Sequence, residues 1–182
     1  MKGKVRVTFK AHDSKISKIC DRAILEYCKG NRDALADIYD CMARLIFSVA
    51  FAITRSYEDA EDVLQQTMID IARYAHRYER GTNAKAWILA ITRHLAIDTV
   101  RKRKPQTELT EMPAPRTDFS RLEVLDMLSV LEEDEKELVL YRLYAKMPYG
   151  EIADMMKISI PAAQKRYQRA LSKLRKYRDS YI

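Results

Sequence analysis

Residues 147–176 read MPYGEIADMMKISIPAAQKRYQRALSKLRK, and their spacing decides the architecture of the C-terminal part of the chain. Ile152, Ala153 and Met156 give one short helix an inner face. Ile158 then sits in a tight turn. Lys157 stands at the turn position where left-handed backbone costs a non-glycine residue ~1 kcal/mol. Ser159 is a good N-cap for a second helix, and Pro161 is tolerated in a first helical turn. Ile160, Ala163, Tyr167, Ala170 or Leu171, and Leu174 share one side of that helix; Gln164, Lys165, Arg166, Gln168, Arg169, Lys173, Arg175 and Lys176 take the others. Physically this is a helix-turn-helix. Small Ala153 lets the two helices cross closely, and the second can enter a major groove with its N-terminal half leading. Gln164, Lys165 and Arg166 are placed for base edges; Arg169, Lys173 and Arg175 are placed for phosphates. If about five phosphates are neutralised, log affinity falls with log salt at a slope of roughly −4 to −5. A solvated basic face on an ordinary helix is the alternative, and the capped turn with its Glu151-Ile152-Ala153 element weighs against it.

The rest of the chain agrees with a helical fold. Of 182 residues, 47% are hydrophobic and only 4 are Gly and 5 Pro, which disfavours a fold of many tight turns. The net charge of +7 suits a polyanionic partner. The charge is segregated: residues 160–178 are basic without an acid, and residues 119–138 are predominantly acidic. Cys20, Cys28 and Cys41 form no metal-ligand spacing and read as reduced thiols; no metal or other cofactor is expected. The start lacks a signal-peptide core, and no run approaches the ~18 apolar residues of a membrane span. A cytoplasmic protein is expected.

Upstream, Leu35, Ile38, Tyr39, Met42, Leu45, Ile46, Val49 and Ile53 recur at helical spacing, with a break at Thr54-Arg55-Ser56. Ser56-Tyr57-Glu58-Asp59 reads as a capping box. The next helix buries Ala60, Val63, Leu64, Thr67, Met68, Ile71 and Ala75, and carries a second stripe of Asp62, Gln65, Gln66, Ile69 and Arg73. That stripe is either a solvated face or a docking surface with Ile69 as its apolar anchor. Asn83 can cap a third helix through Trp87, Ile88, Ile91 and Leu95 to about Arg103. Pro105 stops it, and the proline-rich stretch 105–118 reads as a flexible linker. Helical periodicity resumes at Leu122, Leu125, Leu128 and Leu131, with further helices expected at 134–145, 149–156 and 160–178. The expected fold is all-α: two small helical domains, 24–104 and 119–182, joined by the linker 105–118 and preceded by a basic arm, 1–23, in which Val5, Val7 and Phe9 could alternatively form a short strand.

The stretch 33–78, DALADIYDCMARLIFSVAFAITRSYEDAEDVLQQTMIDIARYAHRY, and the stretch 83–104, NAKAWILAITRHLAIDTVRKRK, together resemble region 2 of the extracytoplasmic-function (ECF) sigma factors, a group of the sigma-70 family. Residues 147–176 resemble region 4, whose helix-turn-helix reads the promoter −35 element. The resemblance implies that Asp62, Gln65, Gln66 and Ile69 contact the clamp helices of the large subunit of core RNA polymerase. It implies that the loop from Tyr78 through Arg80 to Asn83 captures a flipped base of the −10 element, and that Lys85, Arg93, His94 and Arg101 follow the non-template strand. Gln164, Lys165, Arg166, Arg169 and Lys173 match −35 contacts. Trp87 admits two readings, core packing or a strand-separating wedge. An anti-sigma protein is a further partner the resemblance implies.

The mechanism so implied is non-enzymatic: the factor carries polymerase to promoter DNA and stabilises the melted bubble by binding. A stand-alone helix-turn-helix regulator is the rival; it needs the C-terminal helices but not the Asp62–Ile69 stripe. An enzyme is disfavoured by the lack of a phosphate-cradling glycine loop, of clustered His or Cys, and of a convincing carboxylate cluster.

Overall fold

The computed structural model describes residues 15–103 and 129–179, and the described secondary structure is entirely helical. The basic stretch before Lys15, with its alternating Val5, Val7 and Phe9, lies outside the described residues, as do the linker 105–118 and Leu122, Leu125 and Leu128.

The first helix, α1 (Lys15–Cys28), begins inside the stretch expected as an arm. It buries Ser17, Cys20, Ala23 and Ile24. These are mostly small or polar residues, so the stripe carries little hydrophobic signal, yet it packs α1 on its neighbours. Cys20 Sγ lies 3.6 Å from Cys41 Sγ on the next helix, both as free thiols.

Three long helices complete the N-terminal bundle. In α2 (Ala34–Thr54), Ile38, Met42, Leu45, Ile46 and Val49 face inward, whereas Tyr39, expected on the same face, is exposed at its edge. Full burial of one such aliphatic side chain contributes about 1.5–3 kcal/mol. Arg55 ends α2 in left-handed backbone, its N–H bonded to Phe51 O at 2.9 Å. Ser56 then caps α3 (Tyr57–Tyr74), its hydroxyl accepting from the Asp59 N–H at 3.3 Å. The expected box is only half made, because the Asp59 carboxylate pairs with Arg103 instead. The Arg103 guanidinium also donates to Thr54 O at 3.0 Å, which ties the end of the third helix to the α2–α3 corner. That helix, α4 (Ala84–Lys102), is capped by the Asn83 side chain, which accepts from the Ala86 N–H at 3.3 Å. Where α2, α3 and α4 meet, Ala50, Ala60 and Ala96 keep the axes close around Val63.

The C-terminal part holds α5 (Glu133–Val139), a π-helical turn (Leu140–Tyr144), α6 (Tyr149–Met156) and α7 (Ile160–Asp179). The continuous helix expected over 134–145 is α-helical only as far as Val139; the Ala145 N–H bonds to Leu140 O at 2.9 Å, one residue beyond α-helical register. Tyr141 is fully buried there, its hydroxyl donating to Glu137 at 2.8 Å. Ala153 and Ala163, both nearly inaccessible, sit at the α6–α7 crossing.

The turn between α6 and α7 adopts the geometry its sequence implies. Lys157 has φ 56° and ψ 44°. The Ile158 N–H bonds to Ala153 O at 3.0 Å and the Lys157 N–H to Asp154 O at 3.4 Å, the paired bonds of a Schellman cap. Lys157 is exposed and its left-handed backbone favours glycine. Lys157→Gly is therefore expected to stabilise the protein by roughly 0.5–1 kcal/mol, read as a higher urea midpoint with an unchanged m-value.

The two parts are packed together. One continuous apolar core runs from Ile24, Ile46 and Ile88 to Leu138, Tyr141 and Met147.

Candidate nucleic-acid interface

Helical spacing along α3 brings Asp62, Gln65, Gln66 and Ile69 onto one face. Asp62 and Gln65 are exposed, Ile69 is 50% exposed, and the Gln66 amide donates to Asp70 at 2.8 Å. With Leu95 and Thr99 of α4 they line a shallow groove. An exposed aliphatic anchor framed by amides and a carboxylate suits a protein partner better than DNA, whose phosphates the acid would repel. Among the described residues, no basic side chain lines this groove.

The residues matched to −10 recognition split into two groups. Arg80, His94 and Arg101 are exposed. Asp98 joins the last two, lying 3.5 Å from His94 Nε2 and 3.0 Å from Arg101. The others are turned inward. Tyr78 is 8% exposed, and its hydroxyl donates to Asp21 at 2.8 Å and to Thr82 O at 2.9 Å. Its ring tilts against Trp87 at 5.3 Å, so Trp87 packs on the core in this structure. Burial raises the Tyr78 phenol well above its ordinary value.

Asn83, Lys85 and Arg93 meet the C-terminal part. The Asn83 amide donates to Glu151 Oε2 at 2.8 Å, while its oxygen accepts from Ser17 at 2.8 Å. The Lys85 ammonium donates to the carbonyl of Ala145. Arg93 Nε donates to Glu137 at 2.5 Å. Asn83 and Lys85 are 1% and 4% exposed, so neither can touch a nucleic acid in this arrangement. Sequence reasoning gave neither Glu137 nor Glu151 this role: Glu137 lies in the acidic stretch 119–138, and Glu151 stood out only as part of the Glu151-Ile152-Ala153 element. Both are buried.

Burial pushes the Glu151 carboxyl up to about 7, with the Asn83 amide and the Lys85 ammonium pulling the other way and Asp154 adding to the rise. Burial likewise lowers Lys85. Glu151 Oε1 is buried with no hydrogen-bond partner among the described residues, which favours the protonated acid. A group whose pKa is raised on folding adds stability that is complete below its unfolded value and is lost as pH rises through the folded one. The melting temperature of wild type relative to Glu151→Gln is therefore expected to fall between pH 4.5 and about 7, as differential scanning fluorimetry across that range would record.

On α7 the predicted −35 residues lie outside the buried stripe of Ala163, Tyr167, Ala170 and Leu174, with Arg166 and Lys173 at its flank. Gln164, Lys165 and Arg169 are exposed. Arg166 is folded back onto Asp134 at 2.7 Å, and Lys173 pairs with Glu135 at 2.8 Å. Burial opposes ionisation of Glu135, yet the Lys173 ammonium and the Glu132 backbone N–H hold its carboxyl below the ordinary value. Of the three residues expected at base edges, Gln164 and Lys165 are therefore free to reach outward, with Arg166 engaged elsewhere. Exposed Gln168 stands beside them.

Among the described residues no His, Cys, Asp and Glu cluster could hold a metal, and no helix is long and apolar enough to cross a membrane.

Residues 38–106 match the sigma-70 region 2 family and residues 121–174 match sigma-70 region 4. The chain is similar to the RNA polymerase sigma factor CarQ of Myxococcus xanthus, 28% identical over 156 residues, covering 80% of this chain and 90% of that protein. It is 26% identical over 113 residues to the ECF RNA polymerase sigma factor SigW of Bacillus subtilis, covering 62% of this chain and 60% of SigW. Its fold is like that of the sigma factor RpoE of Bartonella quintana, solved with the anti-sigma factor NepR, at a TM-score of 0.64 and 20% identity over 79% of this chain and 96% of the other. With a helix-turn-helix in the C-terminal part and both sigma regions in order, the chain belongs to the sigma-70 family as an alternative sigma factor of the ECF type, which binds core RNA polymerase and directs it to promoters.

Proposed function

We propose that the two halves divide the work of initiation between them. The exposed stripe Asp62, Gln65, Gln66 and Ile69 docks on the clamp helices of the polymerase large subunit. The α7 face led by Gln164 and Lys165 reads the duplex −35 element, and Arg169 and Lys173 hold phosphates beside it. Tyr78, Arg80, Asn83, Lys85, Arg93, His94 and Arg101 serve the melted −10 strand. A base lifted from the stack needs a ring to stack on and polar edges to pair with, and Tyr78 and Asn83 flank one loop.

The observation that carries this reading is the exposed Ile69 on a groove that no basic side chain lines among the described residues, on a different helix from the basic α7 face. A regulator acting without polymerase has no use for that groove. The factor makes and breaks no bond itself: binding energy stabilises the open bubble, and the linker 105–118 limits the span between the two DNA elements. Fourteen residues reach at most ~50 Å when extended. The working compartment is the cytoplasm, and an inhibitor of the anti-sigma class is a partner, a reading supported by the fold shared with RpoE, which was solved with one.

Reconstituted transcription tests the whole. Core polymerase plus this protein should initiate at a discrete set of genomic start sites sharing −35 and −10 elements. Promoter binding without any polymerase-dependent initiation would overturn the reading.

A further inference from the structure

We propose that the packed arrangement of the two halves is a self-blocked form of this sigma factor, in which Glu137, Glu151 and the Ala145 carbonyl occupy the donors of Arg93, Asn83 and Lys85 in place of the −10 strand. The proposal rests on the assignment of those three donors to DNA.

The seam has the composition of a DNA contact with the DNA replaced by protein. Each N-terminal donor faces an acceptor of the kind a nucleic acid presents. Arg93 Nε meets the Glu137 carboxylate at 2.5 Å, an anionic oxygen as a phosphate would offer. The Asn83 amide meets Glu151 at 2.8 Å, and the Lys85 ammonium meets the carbonyl of Ala145, neutral in the way of a base carbonyl. Arg55 adds an outer pair with Glu133 at 3.0 Å. Around these contacts the apolar core is continuous across the seam. The donors are therefore desolvated as well as paired, and Asn83 and Lys85 are inaccessible until the halves separate.

The block is selective. The α3 stripe and the α7 base-edge residues Gln164 and Lys165 remain exposed in the same arrangement. A closed molecule can thus meet polymerase and duplex DNA first, and capture of single strand requires opening. An affinity seen through such an equilibrium is reduced by the fraction of molecules that are open.

The test compares the full chain with Glu133→Gln/Glu137→Gln, and with Glu58→Gln/Glu61→Gln as a charge-matched control whose residues lie on the exposed start of α3. An amide oxygen at position 137 can still accept from the Tyr141 hydroxyl, so the C-terminal fold is kept. The readouts are the radius of gyration by small-angle scattering and the affinity for a fluorescein-labelled random 12-nucleotide single-stranded DNA by anisotropy, without polymerase. The seam variant is expected to expand and to bind about tenfold tighter than the control, as when roughly nine in ten wild-type molecules are closed. No expansion with intact circular dichroism would overturn the closed arrangement. Expansion without gain over the control would overturn the block through the −10 assignment instead. Should the variant fail to fold, hydrogen exchange on the unmodified chain decides: saturating oligonucleotide is expected to speed exchange across residues 145–152. Binding that leaves those amides protected would overturn the proposal.

Discussion

Ile69→Glu is expected to abolish assembly with core RNA polymerase while leaving the fold intact. Ile69 is 50% exposed and contributes little to the core, so a polar replacement should change stability by no more than about 0.5 kcal/mol. Its effect at an interface is of another size. Truncating a central apolar anchor costs at least ~2 kcal/mol, and burying an unpaired carboxylate there adds desolvation. The resulting loss of affinity is about 100-fold or more, since each 1.4 kcal/mol is about tenfold. Gln65→Ala should weaken binding by a smaller factor, because it removes only a hydrogen-bonding group at the same face. Size-exclusion chromatography with core polymerase measures the loss, and promoter-specific transcription should disappear with it. Duplex DNA binding by α7 should survive. Unchanged co-elution of Ile69→Glu with polymerase would make the α3 stripe a solvated face after all.

Local chemistry made part of this molecule legible from its residues. Ser56, Asn83 and Ser159 announce helix starts because a hydroxyl or amide can bind a free backbone N–H only there, and the Ser159 hydroxyl does accept from the Ala162 N–H at 3.3 Å. Lys157 announces a strained turn because the pattern on both sides leaves a single residue to reverse the chain. The first turns of α1 escaped the same reading. Their buried side, Ser17 and Cys20, is small and polar, and their exposed side is the basic composition of an arm. The π-helical turn at Leu140–Tyr144 carries no signature of its own. The seam was illegible for a different reason: Arg93 and Glu137 lie 44 positions apart and Asn83 and Glu151 lie 68 apart, so no local period links them. A buried carboxylate looks like a surface one until its partner is placed opposite. The residues matched to −10 recognition were therefore named through the family resemblance, while the occupation of Asn83, Lys85 and Arg93 by protein acceptors emerges only from the packing.

Gln164→Ala/Lys165→Ala is expected to remove −35 recognition while sparing assembly with polymerase. Both side chains are exposed on the first turns of α7, the end proposed to lead into a major groove. Among the described residues neither is held in an ion pair, unlike Arg166 on Asp134. Each good base-edge contact discriminates by about 1–3 kcal/mol. The double variant should thus bind the preferred duplex at least about 30-fold more weakly, and approach the affinity of wild type for unrelated duplex. The salt dependence separates this from a lost phosphate contact. Removing Lys165 alone should leave the slope of log affinity against log salt nearly unchanged if the ammonium reaches a base edge, and reduce its magnitude by about 0.9 if it neutralises a phosphate. Arg169→Ala provides the comparison, because Arg169 is assigned to phosphate: it should weaken binding to all sequences alike and flatten the slope. Fluorescence anisotropy with duplexes carrying the selected −35 element, repeated at several salt concentrations, reads both quantities at once. Equal losses on specific and unrelated DNA for the Gln164/Lys165 variant would move sequence reading elsewhere on α7, with exposed Gln168 the next residue to test.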